Sequence, residues 1–479
     1  MNQNQKEKQK ENRKIISVLI LLSGLFLVII CYLTYFELFL KDDIITSAYN
    51  RRQWDREDST LRGTIYDRAE VVLAKSEIRG DKQERIYPYN SLYSQVIGYN
   101  VLTYGKSLLE AKYNQDLLNI NPLNPVLDLK DKLTGTKTVG NNLYLTIDHR
   151  LQVHAADLLG ERNGAVVVLN PQTGEVLAMV SKPDYNPNRR SLEKNWNELI
   201  ESEENPFLPR ATRGLYVPGS TYKVAVSAMA LEKGLGNETI EDKGSITIEG
   251  KQINNHGNIA HGMLDLKQAL SVSSNVYFSQ MGVKLGENNL KELAKRVGMG
   301  KAVSFDIPVS ESRFDYQIMK KTDQAAVGMG QGKILVTPLQ MALITAGIAN
   351  DGVVMKPYLV KRVETANGFV LKDRNPDVLY KLTTPEIAAQ VKDMMYEVVE
   401  KGTGKNARIR GIHVAGKTGT AQNELTKKNE DKEHTWFIGF APVEDPQVAV
   451  AVILEYSGST GGKMAAPIAR ELMTDWLNR

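Results

Sequence analysis

The most informative stretch of this chain covers residues 218–231 and reads PGSTYKVAVSAMAL. Its opening Pro-Gly pair interrupts regular structure, and the apolar run behind it predicts a buried helix that stops near Gly234. Ser220 then lies in the first turn of that helix, where free backbone N–H groups and the helix dipole favour negative charge. Lys223 shares its helix face, and a partly desolvated lysine can lose its proton near neutral pH and deprotonate the serine.

A second motif, Ser273-Ser274-Asn275, follows residues 264–270, which read as a short helix. We expect the motif to form a turn in which Ser273 and Asn275 face one cleft while the residue between them points away. Ser273 would then relay a proton, and Asn275 would hydrogen-bond a substrate amide. An ordinary Ser/Asn turn is the alternative, because such clusters usually have no further role.

A third motif, Lys417-Thr418-Gly419-Thr420, follows the apolar residues 412–415 and reads as a strand that carries a charge. Gly419 has no side chain, so we expect a substrate backbone to approach the strand and pair with its edge. Lys417, Thr418 and Thr420 would then hold a terminal carboxylate. A glycine bulge on a surface strand fits this segment locally but leaves the other two motifs unexplained.

Together the three motifs supply a serine nucleophile, two candidate bases, an amide and a cationic strand. This is the set needed to open an amide through a covalent acyl-enzyme. An isolated S-x-x-K is usually a capping serine followed by a surface lysine. Here that alternative is weakened, because an unpaired lysine is costly in so apolar a helix and because all three motifs occur in order.

With these motifs, the chain resembles the class B penicillin-binding proteins, which are membrane-anchored transpeptidases that cross-link peptidoglycan. The similarity covers nearly everything after the N-terminal tail. Its further motifs are Arg62-Gly63, Asp67-Arg68, Leu73-Ala74, Thr146-Ile147-Asp148, Asn170-Pro171 with Gly174, Gly330-Gln331-Gly332, Thr337 to Ala342, Gly416 to Gln422, Trp436-Phe437 and Ala465-Ala466-Pro467. One departure occurs at Ala69-Glu70, where the family commonly has Asn-Gly, and it concerns the shape of a turn outside the catalytic motifs.

The resemblance implies an α+β fold with a penicillin-recognising serine transferase domain, similar to β-lactamases, that has an antiparallel sheet and a helical subdomain. It implies a D,D-transpeptidase that is acylated by stem peptides ending in D-Ala-D-Ala, releases D-Ala, and is inhibited by β-lactams. The implied catalytic residues are Ser220, Lys223, Ser273, Asn275 and Lys417. The implied substrate-binding residues are Thr418, Gly419 and Thr420. Backbone N–H groups of Ser220 and Thr420 would hold the oxyanion.

The remaining elements of the catalytic region also favour this fold. Strands are predicted at residues 165–169, 176–180, 436–440 and 448–454, the first two as a hairpin, and a closing helix at 465–477. Thr337-Pro338 and Thr384-Pro385 predict the starts of two helices that stop near Gly352 and Gly402. Strands at both ends of the region predict an antiparallel sheet that the C-terminus completes.

Two other classes of function stay open at this point. The first is a hydrolase on the same fold, either a D,D-carboxypeptidase or a β-lactamase. A class A β-lactamase needs a deacylating glutamate in an E-x-x-L-N setting, and Glu287-Asn-Asn-Leu290 comes near it but is followed by Lys291. The second is a non-enzymatic scaffold for a glycosyltransferase, although an inert scaffold has no need of all three motifs.

An apolar run at residues 15–36 holds 22 consecutive uncharged residues and the only cysteine, Cys31. At about 1.5 Å per residue it reaches roughly 33 Å, enough to cross a hydrocarbon core of about 30 Å. Lysine and arginine dominate the tail at residues 1–14, whereas Glu37, Asp42 and Asp43 follow the run. The positive-inside bias therefore predicts a single-pass bacterial membrane protein with a cytoplasmic N-terminus and an extracytoplasmic catalytic domain.

The predicted order is a tail at residues 1–14, an anchor at 15–36, a pedestal at 41–150 and a transpeptidase domain at 151–479. About 100 residues separate the anchor from the catalytic domain, so glycan polymerisation is expected from a partner, namely a polytopic membrane glycosyltransferase. The net charge of +4 on 479 residues indicates no nucleic-acid partner. The six histidines form no H-E-x-x-H motif, so no metal is expected, and no cofactor.

Overall fold

The computed structural model describes residues 3–36, 60–80, 82–120, 138–421 and 433–479. Some sequence predictions lie outside these residues: the acidic flank at Glu37, Asp42 and Asp43, the pedestal segments 41–59 and 121–137, and the motif residue Gln422. The helices are α1 (Gln3–Tyr35), α2 (Leu108–Lys112), α3 (Asn114–Leu117), α4 (His149–Leu159), α5 (Arg189–Glu201), α6 (Arg210–Arg213), α7 (Lys223–Glu232), α8 (Leu266–Val272), α9 (Asn275–Arg296), α10 (Lys321–Gly328), α11 (Pro338–Ala349), α12 (Pro385–Glu400) and α13 (Gly461–Leu477).

The strands are β1 (Thr60–Leu61), β2 (Ile65–Tyr66), β3 (Val72–Arg79), β4 (Lys82–Ile86), β5 (Asn100–Val101), β6 (Gly105–Lys106), β7 (Thr138–Val139), β8 (Asn142–Leu145), β9 (Gly164–Leu169), β10 (Val176–Lys182), β11 (Ile240–Asp242), β12 (Ser245–Ile248), β13 (Lys251–Asn254), β14 (Gly262–Leu264), β15 (Arg313–Phe314), β16 (Ile334–Leu335), β17 (Val353–Met355), β18 (Val360–Glu364), β19 (Val370–Asp373), β20 (Val378–Lys381), β21 (Ala415–Ala421), β22 (His434–Ala441) and β23 (Val448–Leu454). Together with the helices they give a mixed α+β fold.

A five-stranded antiparallel sheet in the order β10-β9-β23-β22-β21 forms the centre of the catalytic region. Its strands β9, β22 and β23 are buried along their whole length, because helices cover both faces. Alternate residues point to opposite sides, so Val167 belongs to the apolar core that includes α7 and α11, while Val166 belongs to the core that includes α4 and α13. The predicted hairpin, the two late strands and the closing helix are confirmed, and the sheet is completed by the C-terminal part of the chain.

A second sheet has six strands in the order β19-β18-β8-β2-β3-β4. Four of these strands come from residues 65–145, and the other two come from residues 360–373 inside the catalytic region. Strand β8 lies between them, with Leu143 paired to Val363 on one side and to Ile65 on the other. This sheet therefore crosses the predicted boundary at residue 150, and a continuous apolar core runs beneath both regions. The boundary itself stays a prediction.

The turn at Asp67–Glu70, where the chain has Ala69-Glu70 in place of the expected Asn-Gly, is held by the Asp67 carboxylate. Asp67 Oδ1 accepts from the backbone N–H groups of Ala69 and Val71, at 2.8 and 2.7 Å. Glu70 adopts a left-handed conformation with φ of 65°, a conformation that glycine adopts at lower cost. The departure in sequence is therefore accommodated by one strained residue.

The helix starts confirm the predicted caps and correct one predicted turn. Thr337 and Thr384 accept from the backbone N–H groups of Gln340 and Ile387, as expected of N-cap residues. The Ser273–Asn275 motif is more than a turn, because Ser273 ends α8 and Asn275 begins the long helix α9.

Helix α1 begins at Gln3 and carries the predicted anchor. Its segment Asn12–Tyr35 spans 24 residues with a mean hydropathy of 2.9, and none of its most apolar part is buried against the rest of the chain. An apolar helix of this length, exposed on all sides, can cross a bilayer. The helix is consistent with a membrane anchor.

Candidate active site

Ser220 lies in a tight turn that the neighbouring chain holds firmly. The turn is a 3-10 helix, Gly219–Tyr222, which leads directly into α7, so the serine precedes the α-helix rather than lying in its first turn as predicted. Gly219 has a φ of 55° and donates its N–H to the carbonyl of Gly330 at 2.9 Å. A Cβ on Gly330 would lie 1.9 Å from Gly219 O, so glycine is required there. Ser220 itself is half-buried.

Lys223 is fully buried one turn after Ser220. Its Nζ donates to Asn275 Oδ1 and to the carbonyl of Ser273, both at 2.8 Å, and lies 3.5 Å from Ser273 Oγ. Burial holds the pKa of Lys223 well below its usual range, and the positive charge of Lys417 lowers it further. The neutral amine, which can accept a proton, is thereby favoured.

Ser273 joins the two lysines of the site. It has a left-handed φ of 60° between α8 and α9, and its Oγ accepts from Lys417 Nζ at 2.9 Å while facing Lys223. Asn275 faces the same lysine, and its Nδ2 donates to the carbonyl of Asn254 at 2.9 Å. Ser274 points the other way, towards Asp242, as the sequence predicts for the middle residue.

Strand β21 carries Lys417 to Thr420 and has β22 as its neighbour on one side, which makes it the outer strand of the described sheet. Lys417 is fully buried, its Nζ also donates to the carbonyl of Thr418 at 3.0 Å, and burial lowers its pKa to about 7. Thr418 Oγ1 lies 2.6 Å from Thr403 Oγ1. The strand therefore brings the Lys417 amine to Ser273, while the Thr418 hydroxyl lies beside Thr403.

Gly419 has a packing role in addition to the predicted approach of the substrate, which stays a prediction. A Cβ there would lie 2.9 Å from Thr221 Cγ2 and 3.0 Å from Trp436 Cβ, so the glycine lets the Ser220 turn pack against the strand. Trp436 reinforces this contact by donating its Nε1–H to the carbonyl of Val217 at 3.1 Å. Thr221 and Trp436 fill the space that a side chain at position 419 would need. The absence of that side chain allows the short distance between the Ser220 turn and β21.

Three residues at the site were missed by the sequence analysis. Asp242 and Asn255 are buried behind the Ser273–Asn275 motif, and Thr403 lies beside Thr418. Thr403 stands between two glycines in a loop after α12, which is a weak signal of a close backbone approach. Asp242 and Asn255 belong to no motif, since their partners are distant in the sequence.

Glu287, the candidate deacylating glutamate, lies after a break in α9 at Gly286. Its carboxylate pairs with Lys291 at 2.6 Å and accepts from the N–H of Met319 at 3.2 Å. The hydrogen bond from Lys291 lowers the pKa of Glu287, so the carboxylate is committed to structural partners. Among the described residues it has no hydrogen bond to the motif residues.

Comparisons with known proteins agree with this geometry. Residues 164–474 match the family model of the penicillin binding protein transpeptidase domain, and residues 62–143 match that of the penicillin binding protein A dimerisation domain. The chain is 31% identical to the peptidoglycan D,D-transpeptidase PbpA of Mycolicibacterium smegmatis, over 96% of this chain and 98% of the relative. It is 35% identical to the D,D-transpeptidase MrdA of Haemophilus influenzae, over 71% of this chain and 57% of that protein.

Among solved structures, penicillin-binding protein A from M. tuberculosis in its penicillin G acyl-enzyme complex is similar, with a TM-score of 0.81 and 31% identity. That match covers 88% of this chain and all of the solved chain. A D,D-transpeptidase domain from Eggerthella lenta matches with a TM-score of 0.78 and 34% identity, over 88% of this chain and 99% of that chain.

Proposed function

The chain belongs to the class B penicillin-binding proteins, and on that premise we propose how its residues carry out peptidoglycan D,D-transpeptidation, with Ser220 as the nucleophile. One observation carries the proposal: two buried lysines, Lys223 and Lys417, meet at the single hydroxyl of Ser273. Burying two ionisable lysine side chains is costly, so their presence at one hydroxyl favours proton transfer over a structural role.

In the first half of the reaction, a stem peptide ending in D-Ala-D-Ala pairs with the edge of β21. Thr418, Thr420 and Lys417 hold its carboxylate. Neutral Lys223 takes the hydroxyl proton of Ser220, and the serine oxygen bonds to the carbonyl carbon of the penultimate D-Ala. The resulting oxyanion accepts hydrogen bonds from the backbone N–H groups of Ser220 and Thr420.

The C–N bond then breaks, and the proton held by Lys223 passes through Ser273 to the nitrogen of the departing D-Ala. In the second half, the amine of a neighbouring stem peptide attacks the acyl carbon. Its proton returns by the same route to the Ser220 oxygen, so the enzyme is restored and the cross-link is formed. A β-lactam acylates Ser220 in the same manner and stays attached, because its leaving group remains tethered to the acyl carbon.

The other classes of function are less well supported. A β-lactamase needs a base that activates water beside the acyl-enzyme, and Glu287 has structural partners instead. A scaffold has no use for buried, pKa-shifted lysines. A D,D-carboxypeptidase differs only in its acceptor, and is therefore distinguished by experiment.

The test is intact-mass spectrometry of the full chain in detergent. A β-lactam should add one adduct, which Ser220→Ala abolishes and which Ser227→Ala, a buried serine of α7 with its hydroxyl bonded to Lys223 O, retains. A D-Ala-D-Ala thioester analogue with an added amine should yield amide product in preference to hydrolysis. A persistent adduct in Ser220→Ala overturns the assignment, and exclusive hydrolysis favours the carboxypeptidase.

We further propose that α1 anchors the protein with its N-terminus in the cytoplasm and residues after 41 outside. The length of the apolar segment Asn12–Tyr35 supports an anchor, and the cationic tail before it supports this orientation. We also propose a polytopic membrane glycosyltransferase as the partner that supplies the glycan strands. An alkaline phosphatase fused after Arg479 should be active in cells, because it folds outside the cytoplasm. A fluorescent protein that matures only in the cytoplasm should give no fluorescence when it is fused at the same position. The opposite pair of results reverses the orientation.

A further inference from the structure

A second layer of polar residues lies behind the Ser273–Asn275 motif, and Asp242 is its centre. This carboxylate is fully buried at the end of β11. Its Oδ2 accepts from Ser274 Oγ at 2.6 Å, its Oδ1 accepts from the N–H of Gly244 at 2.9 Å, and both oxygens lie 2.8 Å from Asn255 Nδ2. The buried carboxylate therefore accepts hydrogen bonds from three residues.

Asn255 links the Asp242 carboxylate to the start of helix α9 by hydrogen bonds. Its Oδ1 accepts from the backbone N–H groups of Asn275 and Val276, at 2.8 and 3.1 Å, which are the first two of the helix. Its Nδ2 also donates to the carbonyl of Ile259 at 2.8 Å, so the amide is held in one orientation. The first turn of a helix has free N–H groups, and a fixed acceptor there sets the position of the residue at the start.

We propose that Asp242 and Asn255 are positioning residues of the transpeptidase, which hold Ser274 and Asn275 so that the Asn275 amide oxygen meets Lys223. The inference rests on the proposed role of Lys223 as the base. Neither residue touches the substrate or the reacting atoms. Misplacing a catalytic partner by about 1 Å can cost on the order of 100-fold in rate. Loss of the residues that position the motif should therefore lower the acylation rate.

Asp242 also acts on Lys223 through its charge. Two charged groups act on this lysine, Lys417 from β21 and Asp242 from β11, and the ring of Phe278 lies 5.4 Å from its Nζ. The Asp242 carboxylate raises the pKa of Lys223, against the effects of burial and of Lys417. Removing that charge should therefore make the lysine lose its proton at lower pH.

A purely structural role is the competing explanation, and the chain offers a matched control. Asp306 is also buried and accepts from the N–H groups of Leu359 and Val360, at 2.7 and 3.1 Å, and from Arg374 at 3.0 Å. These partners lie in or next to the six-stranded sheet, and none of them belongs to the three catalytic motifs. Asp306→Asn therefore reproduces the loss of a buried carboxylate without touching the motif.

The experiment measures the acylation rate of the full chain in detergent with a fluorescent penicillin between pH 5.5 and 9, together with thermal unfolding. Asp242→Asn should lower the plateau rate by about 10- to 100-fold and move the acidic limb of the profile to lower pH. Asn255→Ala, which leaves the Asp242 charge in place, should lower the plateau without moving the limb. Asp306→Asn should lower the unfolding temperature but keep the parent's profile.

The proposal is overturned if Asp242→Asn and Asn255→Ala both keep the parent's plateau rate and the parent's midpoint of the acidic limb. It is also overturned if Asp306→Asn changes the acylation profile as much as they do. If Asp242→Asn does not fold, Asn255→Ala decides alone, and a parent-like plateau rejects the proposal. Failure here is distinguishable from failure of the catalytic assignment, because labelling that persists in Ser220→Ala rejects the latter whatever the second layer does.

Discussion

Replacing Lys417 by methionine should stabilise the fold while weakening the binding of the substrate carboxylate. The pKa of Lys417 falls from its ordinary 10.5 to about 7, because burial disfavours the charged form. A pKa difference of one corresponds to about 1.4 kcal/mol, so below pH 7 the native state carries the protonated lysine at a cost of roughly 5 kcal/mol relative to the unfolded chain. Methionine removes that cost, although the hydrogen bonds to Ser273 Oγ and Thr418 O are lost with it.

The sign of the pH dependence follows from proton binding. Between pH 7 and 10.5 the unfolded lysine is protonated and the native lysine is largely not, so this group makes the parent more stable as pH rises. From pH 7.5 to 9.5 this group should raise the free energy of unfolding of the parent by roughly 2–3 kcal/mol. The advantage of Lys417→Met over the parent should therefore shrink by that amount over the same interval.

The assay is urea unfolding of the full chain at pH 7.5 and 9.5, followed by tryptophan fluorescence, since Trp436 is buried on the neighbouring strand. Lys401→Met is the matched control, because the Lys401 side chain is 74% exposed and should give the same difference at both pH values. A constant difference between Lys417→Met and the parent would refute the reasoning, because it would mean that Lys417 titrates normally.

The remaining predictions concern catalysis, a strained turn and the anchor. Lys223→Ala should slow acylation by on the order of 10²–10⁴-fold on any substrate, whereas Lys417→Ala should lose much less on a peptide with an amidated terminus. If Lys223→Ala and Lys417→Ala showed the same loss of acylation rate on the free and on the amidated peptide, this division of roles would be contradicted. Glu70→Gly should raise the free energy of unfolding by about 0.5–1 kcal/mol, since a left-handed residue with a side chain costs about 1–2 kcal/mol and glycine's extra entropy offsets part of the gain. Urea titration checks this, and a destabilised variant would count against it. Exchanging residues 15–36 for an unrelated membrane helix should preserve penicillin labelling but weaken complementation of a depletion strain, and full rescue would show that the segment is only a tether.

The sequence predicts the catalytic region well because its signals are local. The apolar run after Ser220, the Thr-Pro starts of α11 and α12, and the apolar runs of β22 and β23 depend on neighbours within a few residues. The motifs likewise carry their own context, so the meeting of Lys223, Ser273 and Lys417 could be anticipated.

What could not be predicted depends on contacts between distant segments. Asp242 and Asn255 resemble any polar residues in a hairpin until α9 is brought against them. The role of Gly419 is set by Thr221 and Trp436, which approach it from elsewhere in the chain. Loop sequences do not reveal such partners, because burial of a polar group is decided by the tertiary structure.

The six-stranded sheet has a consequence for the order in which the molecule is assembled. Strand β8 obtains one of its neighbours, β18, only after the chain has been made as far as residue 364. Synthesis proceeds from the N-terminus, so the strands from residues 65–145 are made first, and the open edge of β8 is able to pair with other chains until β18 follows. The two regions are thus not interchangeable modules. A chain truncated before residue 360 would lack two strands of the six-stranded sheet as well as the strand that carries Lys417, so completion of this sheet depends on much of the catalytic region.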